Sequence, residues 1–116
     1  YAKTRVQFGK PIGKFQAVQF KLVDMLATLE QARLYVYHAA ELADRGEPIT
    51  KEAAIAKQIA ADGGNQICQK ALNIFGGYGL TLDFPVERYL RDSFFPMIGG
   101  GTSDIMRTIA AKQIGL

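Results

Sequence analysis

Residues 14–45 read KFQAVQFKLVDMLATLEQARLYVYHAAELADR, thirty-two positions without a glycine or a proline. Within them Phe15, Val18, Leu22, Met25, Leu26, Leu29, Ala32, Val36, Ala39 and Ala43 recur at three- and four-residue steps. That is the period of an amphipathic helix. At ~1.5 Å per residue it predicts a helix of roughly 45 Å, longer than a small globule needs. Gly46 and then Pro48 stop it. Thr50 is the expected N-cap of a second helix, with Ala54, Ile55, Ile59, Ile67, Ala71, Ile74 and Phe75 as its apolar stripe. Gly63-Gly64 inside it marks either a weak point or a close approach by another helix. Pro85 suits the first position of a short third helix ending near Ser93. Thr102 or Ser103 caps a last helix, with Asp104 in its first turn. Strand signals are poor, since the alternation over residues 78–82 is short and framed by glycines. Two long helices and two shorter ones with brief connections predict an all-α, up-down four-helix bundle.

The remaining arithmetic narrows the function classes. The chain has 116 residues, which allows one core but not two. Fourteen Lys and Arg against eleven Asp and Glu leave a formal charge of +3. The basic residues are interspersed with acids, which argues against a nucleic-acid partner. No apolar run approaches the ~20 residues of a membrane helix. A single cysteine, Cys68, excludes an internal disulfide and speaks against a Cys-rich metal site. The chain opens Tyr-Ala-Lys-Thr-Arg-Val, with neither an initiator Met nor a signal stretch, as expected of a piece of a longer protein.

Conventional catalytic constellations are scarce. The single histidine, His38, lies mid-helix beside Tyr35 and Tyr37 and reads as a structural or solvated side chain. Cys68 reads as a small apolar group in a helix rather than a nucleophile. The glycine loops say more. Phe75-Gly76-Gly77-Tyr78-Gly79 follows a helix rather than a strand, so it is not a dinucleotide fingerprint. It is either helix capping or a backbone bared for a flat ligand. Gly99-Gly100-Gly101-Thr102-Ser103-Asp104 runs straight into a helix, where free N–H groups suit an anionic or polar ligand, or simply form a capped flexible loop. Arg107 stands three residues beyond Asp104 and can pair with it. Arg5, beside Phe8, Gly9 and Pro11, could grip a pyrophosphate with both arms of its guanidinium, or be merely solvated.

Five segments occur in order: YAKTRVQFGKPI at 1–12, FQAVQF at 15–20, FGGYG at 75–79, PVERYLRD at 85–92 and GTSD at 101–104. Together they resemble the C-terminal domain of the acyl-CoA dehydrogenases, across essentially all of residues 1–116. The resemblance implies a four-helix bundle belonging to an enzyme whose N-terminal and middle domains lie outside this chain. It implies FAD as cofactor and an acyl-CoA thioester as substrate, from which two hydrogens leave the α and β carbons, as in fatty acid metabolism. A carboxylate would take the α proton and the flavin the β hydride. Electrons would then pass to an electron-transfer flavoprotein. A homo-oligomer, dimer or tetramer, is implied too, with the cytoplasm as the setting in a bacterium and the mitochondrial matrix in a eukaryote. By the same resemblance Arg5 corresponds to an arginine on the FAD pyrophosphate, typically that of a neighbouring subunit. Phe8 and Gln16 correspond to residues lining that flavin. Asn73, Gly76 and Gly77 fall on the Gln-Ile-Leu-Gly-Gly-like segment, with Asn73 a methylene shorter than the usual Gln. Thr102, Ser103 and Asp104 fall on the Thr-Ser-Glu or Thr-Ser-Gln stretch near the cofactor. Gly101 falls where backbone lies near the substrate.

The departure is Gly100. Many members of the resembled family carry the catalytic Glu immediately before Gly-Thr, and glycine has no side chain to accept a proton. Two explanations compete. In branches such as the isovaleryl-CoA and long-chain dehydrogenases the base stands on an upstream helix, which here would precede Tyr1. Otherwise the parent is a non-dehydrogenating, flavin-binding structural homologue. A third reading, an acyl-CoA oxidase-like enzyme, differs in consuming oxygen without an electron-transfer partner.

Overall fold

The computed structural model describes all of residues 1–116. Its helices are α1 (Gln16–Asp44), α2 (Thr50–Phe75), α3 (Val86–Ser93), the single turn α4 (Phe95–Ile98) and α5 (Ser103–Gln113). The all-α architecture expected from the periodicity is what the chain adopts, with α4 an added turn. None of the helices is long and apolar enough to cross a membrane.

α1 and α2 form an antiparallel hairpin: Lys70 Nζ meets Asp24 Oδ2 at 2.7 Å, while further along α1 Thr28 faces Gly63. A Cβ on Gly63 would lie 2.9 Å from Thr28 Cγ2, whereas one on Gly64 would meet nothing within 4 Å. Of the two glycines, then, Gly63 is the close-approach position. Apart from Asn65, the buried residues along the hairpin are small: Ala39, Ala54, Ala56 and Ala61, with Gly63. Small side chains let the helix axes come together. α2 is the central element, packing against α1, α3 and α5.

Several local expectations shift by a residue or two. Thr50 does not cap α2; it is the first helical residue, and Ile49 precedes it without a side-chain cap. Pro85 is the cap of α3 rather than its first position. Thr102 caps α5, its Oγ1 accepting from the Ile105 N–H at 3.2 Å. Before α1 the chain forms a small element that periodicity did not disclose: β1 (Val6–Gln7) pairs antiparallel with β2 (Lys10–Pro11). Its two-residue turn, Phe8-Gly9, has φ +52° and +78°. Positive φ at both central residues matches the right-handed twist of a tight hairpin. Glycine takes it freely, and phenylalanine only under strain.

The molecule measures 56 × 25 × 23 Å, with a radius of gyration of 17.4 Å. About 13 Å is usual for this length. Only ten residues are buried and no large side chain is fully so. Along α1, Phe20, Val23, Leu26, Leu34 and Tyr37 are all exposed. The apolar pattern of α1 is thus wider than the one face α2 covers.

Candidate functional site: two grooves at α2

The first groove lies where α2 ends. Gly76 terminates the helix at φ +60° and ψ −137°, a combination essentially reserved for glycine, and its N–H returns to Leu72 O. The chain then winds through a 3₁₀ turn, Gly76–Leu80. Tyr1 stacks on Phe75 with ring centroids 4.1 Å apart, and Phe84 meets both rings edge-on at 5.3 and 5.0 Å. This aromatic cluster pins the N-terminal segment against the end of α2. Arg5 is held by its backbone: its N–H donates to Tyr1 O and its carbonyl accepts from Ile12 N–H, both at 2.8 Å. Its guanidinium lies 5.1 Å above the Tyr78 ring. It has no carboxylate partner, unlike Arg33, Arg45, Arg91 and Arg107. Arg5, Gly76 and Gly77 line one opening of about 450 Å³. Phe8 and Asn73 line an adjoining one of about 250 Å³, which shares Gln7, Ile12 and Ile74 with the first. Phe8 is 91% exposed, and its ring meets Phe15 edge-on with centroids 6.1 Å apart. Asn73 turns its Nδ2 back to Gln69 O at 2.9 Å, so the shorter amide spends one of its two donors on its own helix. Gln16 begins α1 just beyond Phe15 and lines neither opening.

The second groove, of about 510 Å³, lies between α2 and the start of α5 and holds Thr102, Ser103 and Asp104. The structure therefore does not gather all the sequence-chosen residues into one site. Asp62 organises this groove. Its Oδ1 accepts from Ser103 Oγ at 2.6 Å, and its Oδ2 from Gln58 Nε2 at 2.7 Å and Arg107 NH2 at 2.6 Å. Arg107 also reaches Asp104 at 2.8 Å, the pairing expected from their spacing. Burial pushes the Asp62 carboxyl up. The hydrogen bonds from Ser103 and Gln58 and the charge of Arg107 together outweigh it, holding Asp62 below the usual carboxylate range. Ser103 is buried while Asp104 stands in solvent. Gly101 has φ +95°, and a Cβ there would press to 2.6 Å from Met106 Cε. Gly100, at φ +67°, faces open space. The ammonium of Lys57 donates to the Gly101 carbonyl.

Sequence reasoning missed Lys57, Gln58, Asp62, Asn65 and Gln69. The signal was there, since Gln58, Asp62, Asn65, Gln69 and Asn73 step along α2 by three or four, a polar stripe on one helical face. Its members are chained: Gln69 Nε2 donates to Asn65 Oδ1, and buried Asn65 donates to Ser93 Oγ at 2.9 Å, tying α2 to α3.

The comparisons with known proteins cover the same residues. The family model described as "Acyl-CoA dehydrogenase, C-terminal domain" matches residues 1–115. Benzylmalonyl-CoA dehydrogenase of Aromatoleum aromaticum is 48% identical over 114 residues, which is 98% of this chain and 30% of that protein. Among solved structures, a chain from the electron transferring flavoprotein of Acidaminococcus fermentans superposes with a TM-score of 0.97 at 44% identity, over 99% of this chain and 30% of its own. The FAD complex of PigA gives 0.96 at 36% identity, over all of this chain and 30% of its own. The chain thus spans about a third of the length of the relatives it matches. With one family's model covering nearly every residue, and the glycine loops and helix ends in the places described, this chain belongs to the acyl-CoA dehydrogenase family and matches its C-terminal domain.

Proposed function

We propose that residues 1–116 form the C-terminal domain of an FAD-dependent acyl-CoA dehydrogenase, contributing cofactor contacts and subunit contacts to α,β-dehydrogenation of an acyl-CoA thioester. The observation that carries this reading is Arg5: a guanidinium without an acidic partner, steadied on Tyr78 and facing Gly76 and Gly77, whose missing side chains leave room for a pyrophosphate. The residues present fit FAD. Phe8 and Gln16 offer an exposed ring and an amide to the same flavin, and Asn73 keeps its Oδ1 as acceptor. Thr102, Ser103 and Asp104 front the second groove, and Gly101 presents backbone to the substrate. Two separated grooves suit a homo-oligomer in which this domain touches its own flavin and a neighbour's, and the exposed apolar face of α1 suits burial by other parts of such an assembly.

When bound, FAD supplies the acceptor for the β hydride. This chain's residues bind and orient; none of them removes the α proton, because Gly100 has no side chain to do so. We place the base, a carboxylate, on an upstream helix of this same domain, before Tyr1. Electrons pass onward to an electron-transfer flavoprotein, in the bacterial cytoplasm or the mitochondrial matrix.

Anaerobic titration of the full-length protein with a panel of acyl-CoAs tests the reading: at least one bleaches the flavin absorbance, and exchanging the upstream carboxylate for its amide abolishes bleaching. A flavin that stays yellow with every thioester supports instead the non-dehydrogenating homologue, the other explanation of Gly100. The isolated 116-residue chain turns over no substrate.

A further inference from the structure

Lys57 plays no part in that scheme, yet its environment is unusual for a lysine. It projects from α2 and is partly buried, and with no carboxylate within 4.0 Å its ammonium is met by a backbone group instead. Its one hydrogen bond within the chain goes to the backbone carbonyl of Gly101. That carbonyl sits where the backbone needs the most direction. Gly100 and Gly101 both have positive φ, glycine's broad conformational map offers the loop many alternatives, and Gly100 touches nothing a Cβ could meet. The Gly99 N–H is bonded to Phe95 O at 2.7 Å. The N–H groups of residues 100–104 have no acceptor within the chain, the first two of α5 included. Something other than hydrogen bonding by these amides must set their direction.

We propose that Lys57 is a positioning residue for the Gly100–Thr102 loop. A trans peptide points its C=O and its N–H to opposite sides. By holding the Gly101 carbonyl toward α2, Lys57 turns the Thr102 N–H away from α2, leaving it free to donate to an acyl thioester or a flavin. An ammonium on the carbonyl also polarises the peptide and strengthens that donor. Asp62, five residues along α2, fixes the next point of the chain through Ser103. The two side chains hold the loop at successive residues, so its amides keep one orientation. Lysine suits this role because its long stem spans from helix to loop, and its compact ammonium needs no planar partner. The catalytic consequence rests on the dehydrogenase reading above; the loop orientation does not.

The test uses the full-length flavoprotein with Lys57→Met, which keeps the stem and removes the donors, and Lys57→Arg, which restores a cation. Lys57→Met is expected to lower kcat about 10- to 100-fold with KM within about threefold, since displacing a group near the chemistry by about 1 Å costs on that order. Bound flavin and melting temperature stay at the parent's values. Amide exchange at Gly99 and Ile105, the hydrogen-bonded N–H groups on either side of the loop, quickens at least tenfold while that of α1 and mid-α2 is unchanged. Lys57→Arg returns kcat to within about fivefold of the parent. Unchanged loop exchange overturns the proposal, as does a loss of activity that tracks flavin content and melting temperature. If Lys57→Met does not fold, Lys57→Gln, too short to reach across, is read in the same way, and folding failure of both with Arg failing to rescue also overturns it. If the parent's flavin is reduced by no acyl-CoA, the dehydrogenase reading fails, and the exchange data still decide the positioning of the loop.

Discussion

The C-terminal end of α2 and its middle solve the problem of presenting polar groups in opposite ways. At the C-terminal end, Arg5 rests on an aromatic ring with its charge unanswered by any carboxylate, among glycines and exposed side chains. At mid-helix, Asp62 is answered three times over, by Ser103, Gln58 and Arg107, and the groove there is braced from within. The first region keeps its binding capacity open. The second spends most of its polar capacity on fixing its own shape. An unpaired cation steadied by π contact points outward to a ligand, while a saturated carboxylate points inward to architecture.

That contrast breaks most sharply on ligand retention. Arg5→Ala is expected to weaken FAD retention about 10- to 100-fold, the worth of charge-assisted hydrogen bonds at ~1.5–3 kcal/mol, and to leave melting of the protein part almost unchanged. Flavin absorbance per protein after gel filtration measures it. Arg5→Lys should recover only part of the loss, because a point charge lacks the two-armed geometry. Equal flavin content in parent and Arg5→Ala would remove the distinction between the two regions.

Asp62→Asn should do the reverse, costing about 1–2 kcal/mol of stability by weakening the bonds from Ser103, Gln58 and Arg107, with flavin content reduced less than by Arg5→Ala. The pH dependence follows from a carboxyl held below its ordinary value. The unfolded chain takes up a proton near pH ~3.9, before the folded one does, so the stabilisation is full above that pH and is lost as pH falls through the lower folded value. Melting temperature against pH should be steeper below about pH 4 in the parent than in Asp62→Asn. Parallel acid limbs would show that Asp62 is not the brace.

The smallest effects separate two adjacent residues. Gly63→Ala should destabilise by about 1 kcal/mol net, since its Cβ runs into Thr28, a β-branched side chain whose hydroxyl is already bound to Asp24 O at 2.8 Å. Gly64→Ala, facing open space in the same helix, should stabilise by about 0.5–1 kcal/mol. Chemical denaturation of both variants checks the opposite signs.

Helix existence was legible from residues 14–45 and 50–75 because an unbroken 3.6-residue period admits little else. The caps were legible only to within a residue: Thr102 caps, but Thr50 has already entered the helix. The β-hairpin escaped because its strands are two residues each and its turn puts Phe8, a poor residue for positive φ, at the tip. The pairing of Asp104 with Arg107 was open to inspection, being local on one helix. Asp62 with Ser103 and Lys57 with Gly101, forty-one and forty-four residues apart, were not.

Local spacing along the chain settled that this protein is all-α, where its long helices run, and which ordered motifs place it in its family. Packing alone decided that Gly63, not Gly64, receives the neighbouring helix, that the candidate residues divide between two grooves, and that α2 supplies the side chains orienting the glycine loop. The reason is range. Periodicity, capping and glycine placement act within a few residues and leave their mark in the sequence order. A hydrogen bond between helices depends on the angle and rotation at which they meet, which are set by all their packed side chains together.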